Sequence, residues 1–167
     1  MPDDIDEAME NIAPPPFPDP KPGDPERGKP EDVLPEDNVV VSLAGVAAKY
    51  EDKCKGEDSY PNNCAHFLSN AMIKAGYSEL EPPNNCVNAR CGTSAKRVIR
   101  AREMWCWFKK KATKKATSLP KNDGYWAVFQ LKESEYWGGH VLIYDSDTNK
   151  YYGTGHYPDW DQYCYKF

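Results

Sequence analysis

The chain has 167 residues, 28% of them charged and 40% hydrophobic, with a net charge of −5. That length suits one domain with appendages. No apolar run is long enough for a helical membrane span. No phosphate loop, dinucleotide fingerprint, RNP, helix-turn-helix or zinc-finger pattern is present, so no nucleic-acid partner is expected. Residues 1–38 hold twelve Asp/Glu against three Lys/Arg, and the remainder holds fourteen against eighteen. An acidic leader therefore precedes a mildly basic body, a balance that suits an anionic polymer and is also ordinary for a domain of this size.

Residues 1–38 carry ten of the fifteen prolines. Proline supplies no amide hydrogen to a ladder, and a charged, weakly apolar segment cannot build a core. Residues 1–38 are expected to be a disordered or polyproline-II linker, with residues 39–167 forming the folded domain. The leader has no basic stretch followed by an apolar one, so no ordinary cleavable signal is expected.

An opening helix is expected over about 41–50. After a polar loop broken by Pro61, the spacing predicts a second helix over about 64–75. Cys64, Phe67, Leu68, Ala71, Met72 and Ala75 there recur with the period of one helical face. Asn62 or Asn63 can cap its start, and Gly76 can close it. A third helix is expected over about 93–108, with the lysines of 109–115 as a solvated helix end or loop.

From Tyr125 the pattern becomes β. Strands are expected at 125–131, 140–144 and 151–154, with a turn at 145–149 and a last edge strand at 163–167. Helices first and an antiparallel sheet after them make the expected fold class α+β.

Six cysteines stand at 54, 64, 86, 91, 106 and 164. The Cys86–Cys91 spacing is compatible with a small closed loop, and Cys54, Cys106 and Cys164 offer a further bridge. Connectivity stays open, and a disulfide would imply an oxidising place of action.

Cys64 is the candidate nucleophile. A helix N-terminus lowers a thiol pKa, and its unpaired amides can hold an oxyanion. His140, opening an apolar strand after Gly138-Gly139, is the candidate base. A third group should orient its imidazole. His156 is favoured and Asp145 is the alternative, with Asp147, Asn149 and Tyr152 as further options. Asn63, Gly139 and Trp137 are candidate substrate contacts. His66, two residues after Cys64, points away from it and is expected at the surface or in packing. The Cys and His spacings form no usual metal cluster, so neither metal nor cofactor is expected. The aromatic residues of the C-terminal half suit either a small core or a glycan-binding platform.

Two blocks carry a family resemblance. One is Asn63-Cys64-Ala65-His66-Phe67-Leu68-Ser69-Asn70-Ala71 with Ala75-Gly76-Tyr77, and the other is Gly138-Gly139-His140-Val141-Leu142-Ile143-Tyr144. Together they resemble the NlpC/P60 and CHAP superfamily of papain-like cysteine hydrolases. The first block departs from the Asp-Cys-Ser-Gly form of strict NlpC/P60 members and is closer to divergent amidase-type ones.

The resemblance implies a papain-like fold, with Cys64 as nucleophile at a helix N-terminus and His140 as base on an antiparallel sheet. It also implies cleavage of amide bonds in peptidoglycan stem peptides or cross-links. The implied setting is a lysin or a type VI secretion effector, secreted or delivered into a target periplasm. A cognate immunity protein and a secretion-machine component would then be partners. Two other readings remain. The same Cys–His pair could act on proteins, as a peptidase or deamidase, or the chain could be a non-enzymatic, disulfide-stapled glycan-binding module.

Overall fold

The computed structural model describes residues 17–35, 41–53, 63–132 and 139–167. The expected leader to residue 16, Cys54, Asn62, Trp137 and Gly138 lie outside them. Among the described residues three α-helices, α1 (Leu43–Lys49), α2 (Cys64–Lys74) and α3 (Ala101–Lys111), precede most of a sheet. Its strands are β1 (Glu26–Arg27), β2 (Lys114–Ala116), β3 (Tyr125–Leu131), β4 (Gly139–Asp145), β5 (Lys150–Tyr152) and β6 (Asp161–Lys166), in the spatial order β1-β5-β4-β3-β6-β2. Every pairing is antiparallel except β1 with β5. The fold is α+β, as the order of patterns predicts. No described helix is long and apolar enough to cross a membrane.

Strand alternation divides the core in two. Ala127, Phe129, Leu131, Val141 and Ile143 face the helices and join the large cluster that includes Leu68, Met72, Met104 and Phe108. Trp126, Val128, Leu142, Tyr144 and Cys164 face the other way into a smaller cluster. The central strands are thus apolar on both sides, which explains their continuous hydrophobic character.

Helix α1 starts where the Ser42 side chain accepts the Gly45 amide hydrogen at 3.1 Å. Helix α2 closes as expected at Gly76, whose φ of +108° suits a residue without a side chain. There the Tyr77 N–H bonds the Met72 carbonyl and the Gly76 N–H bonds that of Ile73. The predicted apolar face is only part of what α2 buries, since His66, Ser69 and Asn70 are also fully enclosed. The burial of Ser69 and Asn70 is compensated: Ser69 donates to the Val98 carbonyl, and Asn70 donates to Lys53 O and accepts from Arg97. His66 is therefore not a surface residue.

Four expectations need correction. Residues 17–35 are not an unattached linker: β1 pairs with β5, Val33 joins the core, and Arg27 forms a two-pronged ion pair with Asp52. The exposed strand edge of β5 supplies the partners that proline-rich chain cannot supply for itself. Helix α3 starts at Ala101, not 93, because Val98 is taken into a bridge with Arg90 and Arg100 is extended. Lys114 and Lys115 form strand β2 against β6, so β6 is an inner strand and not an edge. The disulfide joins Cys86 to Cys106, not to Cys91. Cys91 is held apart in its own turn, where its sulfur accepts the Arg97 N–H.

The Cys86–Cys106 bridge ties the irregular segment before α3 to the helix itself. Cys86→Ser is expected to cost about 2–4 kcal/mol, the usual worth of a native bridge closing a loop of this size. Thermal unfolding with and without reductant checks it: reductant should lower the wild-type midpoint to that of the variant and leave the variant unmoved.

Candidate active site

Cys64 is the first residue of α2, and Asn63 stands at the N-cap position. The Asn63 side chain makes no capping bond; its Oδ1 lies 3.3 Å from His66 Nδ1. The sulfur packs beneath the sheet and points to the Gly139 carbonyl, 3.9 Å away. Gly139 opens β4 immediately before His140. The strand is unpartnered by β5 at this end, because β5 pairs only with Ile143, Tyr144 and Asp145.

By alternation His140 lies on the face of Leu142 and Tyr144, opposite the face of Val141 and Ile143. The sulfur thus lies on the helix side of β4 and the imidazole on the opposite face of that strand. Tyr157 stands beside the imidazole. Its ring meets the imidazole edge-on at 5.2 Å, and its hydroxyl is pushed up to about 12 by burial and then by the nearby Cys64. Tyr50, whose pKa is raised chiefly by burial and then by Asp52, also feels the Cys64 charge.

The imidazole is fixed by the main chain. His140 Nε2 lies 2.8 Å from the Gly155 carbonyl. A carbonyl only accepts, so Nε2 carries the proton and Nδ1 keeps the basic lone pair. Burial pushes the His140 pKa down to about 4; the Gly155 bond opposes this and His156 adds to it.

The expected third members are placed differently. The ring of His156 stacks on Tyr151 at 5.5 Å, and its Nε2 has no hydrogen-bond partner among the described residues. Asp145 sits at the far end of β4, about 16 Å along the strand from His140. There it accepts from Asp147 N–H and Thr148 Oγ1 and shapes the β4–β5 turn. Asp147 and Asn149 belong to that same turn, and Tyr152 is core. The acceptor that sequence reasoning missed is a main-chain carbonyl, which no side-chain pattern reveals.

The site is covered. Cys64 and His140 are each 2% exposed. Phe17 lies over the imidazole at 5.6 Å and against Tyr157 at 4.8 Å. It rests so closely on Gly155 that a Cβ there would come within 2.0 Å of the phenyl ring. The other described cysteines outside the disulfide are less suited to attack. Cys164 is buried, which pushes its pKa up to about 12, and Cys91 is engaged in its turn. Among the described residues no group of three His, Cys, Asp or Glu side chains could hold a metal ion.

The described residues thus hold a cysteine at the head of α2, against Gly139, and a histidine on β4 oriented by the main chain. No family model and no curated protein matches the chain. Among solved structures, the type VI effector Tae4 from Enterobacter cloacae aligns with it at 16% identity and a TM-score of 0.45, over 64% of this chain and 72% of that one.

Two outcomes are expected. An imidazole held neutral when folded and free to protonate when unfolded favours unfolding as pH falls from the ordinary histidine value, 6.5, toward 4. The melting temperature should therefore drop between pH 7 and pH 5, and by less in His140→Asn. Phe17→Ala should uncover the ring, so diethylpyrocarbonate should modify His140 several-fold faster than in wild type, as read by peptide mapping.

Proposed function

We propose that the chain is a cysteine amidase or endopeptidase that cleaves amide bonds of peptidoglycan. The observation that supports the chemistry is that a sulfur from a helix N-terminus lies against Gly139, the residue before His140 in β4, while a hydrogen bond to Gly155 fixes the tautomer of that imidazole. The substrate class rests on the sequence resemblance to NlpC/P60 and CHAP hydrolases.

With the site covered, burial keeps the imidazole uncharged at neutral pH. His140 rests neutral until Phe17 gives way to substrate. His140 Nδ1 then takes the thiol proton, and the sulfur adds to the scissile carbonyl carbon. The unpaired amides of the first turn of α2 stabilise the oxyanion. Collapse breaks the C–N bond, and the imidazolium returns its proton to the leaving amine. Water, activated by the same imidazole, hydrolyses the thioester and restores the thiol.

In this reading the protein is an antibacterial effector or lysin acting in the periplasm of a target cell, and a producing cell protects itself with a cognate immunity protein. Asn63 and Gly139 line the approach to the sulfur, and Trp137 remains a candidate substrate contact.

Purified protein incubated with sacculi should release muropeptides, whose masses name the bond cut. Cys64→Ala and His140→Ala should each lower the rate by at least a hundredfold. Wild-type rates in both variants would end the hydrolase reading. Protein cleavage or deamidation with intact sacculi would move the activity to another acyl substrate.

A further inference from the structure

Gln130 is a fully buried amide near the C-terminal end of an otherwise apolar strand. A polar group there is costly unless all its bonds are made. Its Oε1 accepts the Tyr157 N–H at 2.7 Å, and its Nε2 donates to Gln162 Oε1 at 3.0 Å. Gln162 in turn donates to the carbonyls of Trp160, at 2.8 Å, and Tyr157, at 3.2 Å. The rings of Tyr157 and Trp160 stack at 4.0 Å, nearly parallel. Two glutamines thus hold the turn that carries the Gly155 carbonyl and Tyr157. Gln130 is also the cross-strand partner of His140, so the strand register that places the imidazole places the amide that fixes its acceptor.

We propose that Gln130, backed by Gln162, is a positioning residue for His140: it anchors the 155–157 turn so that the Gly155 carbonyl serves as the third member of the site, in place of a side chain. This rests on the hydrolase reading for its catalytic consequence, though not for its structural one. A backbone acceptor has no rotamers of its own, so its aim depends on what holds the turn. Tyr157, bonded directly through its amide, is set against the imidazole by the same anchor.

The test pairs a spectroscopic readout with a kinetic one on the full chain. Long-range proton–nitrogen correlation spectra report which nitrogen of His140 bears the proton, with no turnover needed. Wild type should show the Nε2–H form. Gln130→Met should bring in the Nδ1–H form and lower kcat on sacculi at least tenfold, with KM within about twofold. Gln130→Glu keeps an oxygen for the Tyr157 amide and should recover most of the loss. Gln162→Met removes only the outer partner of a half-buried pair. It should produce the same change of tautomer more weakly, and it decides the matter if Gln130→Met does not fold.

A wild-type tautomer and kcat in folded Gln130→Met, or in Gln162→Met where it stands in, would overturn the proposal. So would a tautomer change produced by His156→Ala and not by the glutamine variants. Undiminished digestion by Cys64→Ala would instead strike the hydrolase reading, and the spectra would still decide whether Gln130 sets the imidazole.

Discussion

The hydrogen bond from His140 Nε2 to the Gly155 carbonyl is the constraint on which the site turns. It leaves the basic lone pair on the other ring nitrogen and sets the ring against Tyr157. A side-chain partner would bring its own rotamers and its own charge. A carbonyl brings neither, so the burden passes to whatever holds the main chain at 155. Here that is a buried glutamine backed by a half-buried one, with a close-packed aromatic face, and the glycine itself admits Phe17 where any side chain would exclude it.

Burial works for and against such a site. It keeps the imidazole uncharged, which a base requires, and strengthens the bonds that aim it. It also lowers its basicity, so that a covered imidazole is a poor owner of the thiol proton. The two demands are reconciled if the cover is separable. Phe17 belongs to a segment tied down through β1 and the Lys21–Asp159, Arg27–Asp52 and Lys150–Asp32 pairs.

Much of the fold was legible in the sequence because its periodicities are strong. The α2 helix and strands β3 and β4 fall where the spacing puts them. What was not legible depended on partners distant in the chain. Glu26 and Arg27 look like linker until β5 offers an edge, and Lys114 and Lys115 look like loop until β6 pairs with them. Val98 and Ile99 fit a helix as well as a strand, and only the bridge to Arg90 decides. Within the site, Cys64 and His140 could be named because their residue types announce chemistry. Gly155 could not, because a carbonyl is common to every residue. Gln130 was hidden by its neighbours, since a lone amide in an apolar strand reads as strand.

The way the sheet ends has a bearing on how this chain keeps to itself. Its outermost strands, β1 and β2, have two and three residues, and β2 presents two lysines. Unpaired peptide groups on a sheet border invite another molecule to add a strand, and brevity and positive charge both discourage it. The long apolar strands β3 and β4 are shielded as inner members of the stack. A proline-rich stretch of low intrinsic order thereby becomes a hem that denies strangers a place to stitch on.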